Sequence, residues 1–361
     1  MCPYFAMFPA DFVRRHVLLY SKKNDWIFDP FCGRGTTILE SLSLGRNAAG
    51  SDINPVAYCV SRAKAEHPSL SSVLIRIMEL ENQYKKYDTA NNVKCKQGLP
   101  AFFKRAFYHS TLDELLFLRD ALNWKNQSID RFITALVIGS LHGEMKDSKA
   151  YFSNQMPRTI CLKPNYSLRY WKKHGLFPKK RRIFVMLRDK AIYRLQTINN
   201  FSEGNVKLAD ARKVSTAFPD LSQKISLIIT SPPYLNVTCY EEDQWLRLWF
   251  LGQEPYPTYG TISKDDRHLS ETKYWQFLTE SWQGISPLVS DSAKMVIRLG
   301  AKQISRKDLA QQLVSTINDA FPTSRLISLP TLSTIKNPQT QNFLPHVKGC
   351  KYELDFVFSL N

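Results

Sequence analysis

No apolar run in this chain of 361 residues approaches membrane-spanning length, so nothing in it reads as a transmembrane helix. It has no C-x-x-C pair among its seven cysteines (Cys2, Cys32, Cys59, Cys95, Cys161, Cys239, Cys350), which argues against a structural zinc site. The cysteines are odd in number and scattered, and no signal peptide precedes them, a usage that fits a reducing cytoplasm. Internal repeats and low-complexity tracts are missing as well. Acidic residues are in short supply: 32 Asp and Glu stand against 49 Lys and Arg, a net charge of +17 that suits a polyanionic partner. The hydrophobic fraction of 43% is that of a globular protein, and the length allows one α/β core and a second module.

What the chain does have is concentrated in two short segments. The first is Asp29-Pro30-Phe31-Cys32-Gly33-Arg34-Gly35-Thr36-Thr37. The strand formers Trp26-Ile27-Phe28 precede it, and Thr36 to Leu44 follows with apolar residues at helical spacing. Strand, Gly-x-Gly turn and helix is the context in which a glycine loop carries meaning, because glycine lets the backbone approach a ligand and a helix N-terminus offers free N–H groups. The full G-x-G-x-x-G of NAD and FAD sites is absent, since position 38 is Ile. A second strand at 47–51 ends in Asp52-Ile53-Asn54-Pro55, and an acid in that place suits ribose hydroxyls.

The second segment is Thr230-Ser231-Pro232-Pro233-Tyr234. It follows Lys224 to Ile229, a β-branched run of the kind that makes a buried parallel strand. The tetrad therefore falls at a carboxyl strand end, where open α/β sheets place their ligands. Shortly before it, Val206-Lys207-Leu208 leads into Asp210-Ala211-Arg212.

Together these motifs resemble the signatures of the S-adenosylmethionine-dependent DNA amino-methyltransferases, enzymes that methylate an exocyclic amine of cytosine or adenine. The resemblance implies a Rossmann-like class I methyltransferase fold: α/β, a mostly parallel seven-stranded sheet with a C-terminal antiparallel hairpin, and a largely helical insertion. It implies S-adenosyl-L-methionine as methyl donor, S-adenosyl-L-homocysteine as product, and no metal. It gives Asp29 the methionine end of the cofactor, with Pro30, Phe31, Gly33, Gly35, Thr36 and Thr37 forming the cradle. Asp52 takes the ribose and Ile53 one face of the adenine. Asp210 and Ala211 match the motif that meets the adenine amino group, although Asp210 could equally cap a helix starting at Ala211. In this family a segment before the loop lines the methionine pocket, which marks Met7, Phe8 and Pro9; an amphipathic cap helix over Asp11 to Leu19 is the alternative for that stretch.

Ser231, Pro232, Pro233 and Tyr234 become the catalytic group by the same resemblance. An amino nitrogen conjugated to a ring is a poor nucleophile, and hydrogen bonds to the Ser231 hydroxyl and the Pro232 carbonyl favour a pyramidal nitrogen. The prolines stiffen the loop, the Tyr234 ring faces a flipped base, and positioning carries an in-line transfer. A leading Ser goes mostly with cytosine-N4 enzymes and Asp or Asn with adenine-N6 enzymes. Cytosine-N4 is thus the expectation and adenine-N6 the alternative. Cytosine-C5 chemistry needs a cysteine nucleophile, found in that family after proline, and no cysteine here follows one.

The core is expected at 1–66 and 204–361, with 67–203 as a mainly helical, basic insertion that binds DNA and reads the target. Helices are expected at 54–66, 70–90, 110–145, 240–252, 273–290 and 305–320, irregular polar chain at 146–180, a fifth strand at 294–299 and a closing hairpin of 325–329 with 351–359. Residues 163–194 hold eleven bases against the one acid Asp189, interleaved with Tyr166, Tyr170, Trp171, Phe177 and Phe184. Lys172, Lys173, Lys179, Lys180, Arg181 and Arg182 are the candidate phosphate contacts, and a solvated helix face gives the same pattern. Asn154, Gln155 and Arg158 have the chemistry for base edges. The motif order resembles the alpha-type permutation and departs from the commoner cytosine-N4 order, in which the catalytic motif comes first. Double-stranded DNA and a cognate restriction endonuclease are the expected partners, in a prokaryotic cytoplasm and away from membranes. A tRNA guanine-N2 methyltransferase is a second alternative. It shares Asp-Pro-x-x-Gly-x-Gly and Pro-Pro-Tyr, but usually has Asp before the prolines and an N-terminal RNA-binding domain, for which the expectation finds no room ahead of Asp29. A non-catalytic nucleic-acid-binding protein on a relic fold is the third; intact Ser231, Tyr234, Asp52 and glycine loop argue against it.

Overall fold

The computed structural model describes residues 9–87, 97–143, 150–153, 163–196, 202, 204–235, 244–258, 270–301, 304–333, 350 and 352–360. Among the described residues eight strands lie in one sheet: β1 (Trp26–Asp29), β2 (Asn47–Asp52), β3 (Gly204–Leu208), β4 (Ile225–Thr230), β5 (Val289–Ala301), β6 (Arg325–Leu326), β7 (Thr331–Ser333) and β8 (Tyr352–Ser359). Their order is β3-β2-β1-β4-β5-β8-β6, with β7 also on β8. The first five in that order run parallel, and β8 is antiparallel to β5.

The run Ile-Ser-Leu-Ile-Ile-Thr forms β4 because a parallel strand is covered on both faces. Ile27, Leu227, Ile229 and Val296 point to one face, where Val13 and Val17 of the helix Ala10–Tyr20 cover them. Phe28, Ile228, Met295 and Ile297 point to the other, under the helices Glu271–Ile285 and Arg306–Ala320. Each of these side chains is almost fully buried, a contribution of about 1.5–3 kcal/mol apiece before entropy is counted. Both covering helices begin at serine caps: the Ser270 hydroxyl accepts from Lys273 N, and that of Ser305 from Asp308 N.

The sheet departs from the expected seven strands at its edge. The last edge position is split into β6 and β7, which pair with opposite ends of β8. Pro330 lies in the gap, has no N–H to give the ladder, and breaks the strand there. The helix expected at 273–290 also stops earlier, at Ile285. Pro287 sits in a single 3-10 turn, Ser286–Leu288, and β5 begins at Val289.

The chain divides into two compact units: 4–66, 200–239 and 262–361 hold the sheet, while 1–3, 67–199 and 240–261 form a helical unit. The helical unit contains the helices Leu70–Lys85, Ala101–Ala106, His109–Ala121, Ser128–Ile138, Pro164–Lys173, Ile183–Leu195 and Trp245–Phe250. Residues 240–261 were expected with the sheet, and they cluster here for a visible reason. Trp249 meets Phe103 at a ring distance of 4.5 Å, Trp245 meets Phe102 at 5.1 Å, and the Arg247 guanidinium donates to Ile138 O at 3.0 Å. The expected helix over 110–145 is two helices with a turn at Asn123–Asn126, where the Asp130 carboxylate accepts from Asn123 N at 2.9 Å and from Arg76 Nε at 2.8 Å. The expected irregular stretch 146–180 contains the helix Pro164–Lys173, opened by a proline in its first turn, where the missing N–H costs nothing. Among the described residues no helix is long and apolar enough to cross a membrane.

Candidate active site

The strand order reverses direction between β1 and β4, and both motifs emerge there at carboxyl strand ends. The glycine loop is a tight turn closed by Gly35 N donating to Cys32 O at 2.7 Å. Gly33 and Gly35 have φ of 51° and 73°, the left-handed region that a side chain resists. Gly35 is needed a second time, since a Cβ there would lie 2.7 Å from Ser61 Cβ on the helix Pro55–Glu66. Cys32 fills the loop interior, 5% exposed, with its thiol on the Ser61 hydroxyl.

Asp29 joins the two motifs. Its Oδ1 accepts from the Thr230 hydroxyl at 2.7 Å and from Phe31 N at 3.1 Å, and its Oδ2 accepts from the Thr37 hydroxyl at 2.7 Å. Thr230 is the residue before Ser231, so one carboxylate fastens the end of β1, the helix Thr36–Ser43 and the Ser231 loop. Burial pushes its pKa up to about 6, against the pull of the three donors. Asp52 closes the other side of the loop: Oδ2 accepts from Gly33 N at 2.8 Å and Oδ1 from Asn54 N at 2.9 Å. Pro30, Thr36 and Ile53 lie within the same cradle; Ile53 is half-buried just after β2, and the helix Thr36–Ser43 has no side-chain cap on its N-terminus. The Phe31 ring turns away from the loop into the helix Glu271–Ile285, 5.9 Å from Phe277 and 6.2 Å edge-on to Trp282.

Asp210 sits beside Asp52, because Ala209 N donates to Asp52 O at 3.2 Å. Of its two sequence readings the capping one is what the geometry contains. The carboxylate accepts from Arg212 N at 2.9 Å and holds the Arg212 guanidinium at 2.7 Å. Burial opposes its charge, yet Arg212 keeps its pKa below the usual carboxylate range. Ala211 is buried against Gly284, where a Cβ would stand 2.8 Å from Ala211 O.

Ser231 is half-buried at the end of β4, and its hydroxyl donates to the Tyr234 hydroxyl at 3.3 Å. Tyr234 in turn donates to Glu353 Oε1 on β8 at 3.0 Å. Its ring was expected to offer a face to a base; it is 5% exposed, within the apolar cluster under the helix Glu271–Ile285, and Gly300 leaves the space beside it. Pro232 and Pro233 fix the chain between the two hydroxyls. Glu353 and its partner Arg298 were missed. The available signal was an Arg in the fifth strand and two acids spaced by two, Glu353 and Asp355, in the last: charges placed on one face of otherwise apolar strands.

Of the expected phosphate contacts, Lys172, Lys173, Lys179, Lys180 and Arg182 are exposed and Arg181 is half-buried. Lys172 and Lys173 end a helix, a place where cations also favour the helix dipole. The segment 179–182 is anchored on the helix His109–Ala121: Arg181 N donates to the Thr111 hydroxyl at 3.0 Å, and Ile183 N to Glu114 Oε2 at 3.0 Å. Of the aromatics interleaved with this stripe, Trp171 and Phe184 are core, 0% and 5% exposed, with Trp171 5.4 Å from Phe102. Phe8, Met7, Asn154, Gln155 and Arg158 lie outside the described residues.

A five-strand parallel run ordered 3-2-1-4-5, an antiparallel strand next to it, a glycine loop after β1 and an acid at the end of β2 define the class I methyltransferase fold. Residues 2–62 match the family model described as DNA methylase (N6_N4_Mtase). The Type II methyltransferase M.BsoBI of Geobacillus stearothermophilus is 31% identical over 247 residues, 64% of this chain and 48% of that protein. The Type II methyltransferase M.MvaI of Kocuria varians is 23% identical over 220 residues, 58% of this chain and 46% of that protein. These matches support the S-adenosylmethionine-dependent DNA amino-methyltransferase family that the motifs resemble. The chain spans about half the length of these curated relatives. Residues 164–217 also match a model described as MerR HTH family regulatory protein, but that match runs on through β3 and into the sheet-bearing unit. Among solved structures, the rRNA methyltransferase aviRa of Streptomyces viridochromogenes superposes at a TM-score of 0.38 and 10% identity, over 100% of this chain and 88% of that one. That superposition adds nothing to the topology.

The cradle fits the cofactor that the family uses: uncapped helix N–H groups, positive-φ glycines and a carboxylate at the end of β2. Asp52→Ala is expected to weaken S-adenosylmethionine binding about 10- to 100-fold by calorimetry, since it frees Gly33 N and Asn54 N from a charged acceptor worth about 1.5–3 kcal/mol. The thermal midpoint should move by only a few degrees, because Asp52 is half-buried at the sheet's end.

Proposed function

We propose that the protein is a site-specific DNA methyltransferase that transfers a methyl group from S-adenosylmethionine to the N4 amine of cytosine. The observation that carries this reading is the Asp29–Thr230 hydrogen bond of 2.7 Å, which sets the glycine loop and the Ser231 loop side by side at the strand reversal. The cofactor supplies an electrophilic methyl on sulfur. Asp29, Pro30, Phe31, Gly33, Gly35, Thr36 and Thr37 would hold its methionine end, Asp52 its ribose, and Ile53, Asp210 and Ala211 its adenine. The Ser231 hydroxyl and the Pro232 carbonyl accept hydrogens of the target amine, and Tyr234, steadied by Glu353, completes the pocket. The exposed bases of 172–182 would grip phosphates, which makes binding steeply salt-dependent. Type II relatives favour a modification role beside a cognate endonuclease in a prokaryotic cytoplasm. The core at 1–66 and 204–361 would do the chemistry and 67–203 the reading.

The test is product analysis. Incubation with unmethylated duplex DNA and S-adenosylmethionine, digestion to nucleosides and mass spectrometry should give N4-methylcytosine. N6-methyladenine would keep the reaction and overturn the base. Methylation of tRNA guanine with none in DNA would replace the substrate.

A further inference from the structure

The methyl-transfer chemistry leaves one atom unassigned. Joining a methyl to a neutral amine breaks the sulfur–carbon bond, forms a nitrogen–carbon bond and leaves nitrogen positive with a proton too many. We propose that Ser231, Tyr234 and Glu353 form a relay that carries this proton to the Glu353 carboxylate. The inference rests on the amino-methyltransferase reading given above. The amine proton moves to Ser231 Oγ, the Ser231 hydroxyl proton to Tyr234 Oη, and the Tyr234 proton to Glu353 Oε1. Three hydrogen bonds shift, no charge is stranded on either hydroxyl, and the carboxylate ends neutral.

The polarity of the chain is the first support. Ser231 donates to Tyr234 at 3.3 Å and Tyr234 donates to Glu353 at 3.0 Å, so each hydroxyl already points its hydrogen toward the acid. The second is placement. Glu353 comes from β8, 119 residues downstream of Tyr234, and reaches it across the Gly300 position, where a Cβ would stand 2.8 Å from Tyr234 Cε2. A half-buried carboxylate beside a tyrosine carries a desolvation cost that a merely structural hydrogen bond does not need. The third is the set of charges around it. Arg298 of β5 stands 3.9 Å from Glu353 Oε2 but spends its strong bonds on Asp355, at 2.6 and 2.8 Å. Facing groups are thus Arg298, Asp355 on the same strand, and Tyr234, with Cys350 near the tyrosine. Burial outweighs Arg298 and raises the Glu353 pKa, which makes it a better base than an exposed glutamate, while the Tyr234 hydroxyl is held well above its ordinary pKa and stays neutral. The Glu353 side chain keeps 21% exposure, enough to return the proton to water between turnovers.

The test is single-turnover methyl transfer across pH on wild type, Glu353→Gln and Tyr234→Phe. Glutamine keeps an oxygen for the Tyr234 hydroxyl and cannot take its proton. Wild type should lose rate as pH falls through the Glu353 titration. E353Q should be slower by about 100-fold and lack that acidic limb, with S-adenosylmethionine affinity unchanged. Y234F should slow transfer to a similar degree, and the double variant should be no slower than either, since the relay acts as a unit. An E353Q enzyme with wild-type rate and an intact acidic limb overturns the relay alone. A wild-type protein that methylates neither DNA nor tRNA removes the functional reading, and the relay with it.

Discussion

Asp29→Ala should lower the thermal midpoint of the sheet-bearing unit by about 10 °C, at roughly 2–4 °C per kcal/mol for a unit of this size. Three donors lose their acceptor when the carboxylate goes: the Thr230 and Thr37 hydroxyls and Phe31 N. Thr37 has a second choice, Ile229 O at 3.2 Å, so the cost falls on the other two, at about 1–3 kcal/mol each for a buried unsatisfied group. Asp29→Asn separates the charge from the hydrogen bonds. Its amide oxygen can still accept from Thr230 and Phe31, and its NH2 can donate to a Thr37 hydroxyl turned toward Ile229. The sign of the pH effect follows from the folded pKa of about 6, above the unfolded value of 3.8. Below about 4 both states hold the proton. Between about 4 and 6 only the folded state does, so stability falls as pH rises through that window, by about 3 kcal/mol in all. Above it the penalty is complete and constant. Thermal midpoints at pH 4, 5, 6 and 7 should show this slope in wild type relative to Asp29→Asn. Asp210, whose pKa is lowered, slopes the opposite way in both proteins and cancels in the difference. Parallel curves would mean that Asp29 is not the titrating group.

The parts of this fold that could be read from the chain are those where one physical signal decides. The β-branched run before Ser231 announces a strand covered on both faces, and the Gly-x-Gly after Phe28 announces a turn that only glycine fits. Both hold to within a residue, at β4 and at Gly33 and Gly35. The errors came where tertiary packing outbid composition. Trp171 and Phe184 read as aromatics in a basic stripe because eleven cations surround them, yet they fill the core of the helical unit, while the lysines beside them take the solvent side. Residues 240–252 carried no pattern to say which unit they join, and Trp249 on Phe103 settles it. At the site, the motif residues were legible one by one but not their partners. That Asp29 bonds Thr230, across 201 residues, and that Tyr234 bonds Glu353, across 119, depends on strand order, which no local window contains.

Strand order also fixes how the Ser231 loop should respond to substitution. Ser231→Ala with Tyr234→Phe should reduce methyl transfer at least 10³-fold, about 4 kcal/mol of transition-state stabilisation, while leaving cofactor affinity and fold nearly intact. Ser231 is half-buried and makes one long bond, so alanine there costs little stability. Tyr234 is different, because its ring is buried in the main apolar cluster. Phenylalanine keeps the ring and removes only the hydroxyl that Glu353 accepts from. Alanine would open a cavity and cost about 3–5 kcal/mol, which confounds activity with unfolding. Comparing the two therefore separates ring from hydroxyl. If the ring face matters to a flipped base, Tyr234→Ala should lose more transfer than Tyr234→Phe after correction for the folded fraction. With 5% exposure, that face is reached only by displacing what covers it, so the Ala–Phe difference should appear in the apparent affinity for DNA as well as in the rate. Unchanged transfer by the double variant would remove Ser231 and Tyr234 from the chemistry, and with Ser231 the reason for preferring cytosine over adenine.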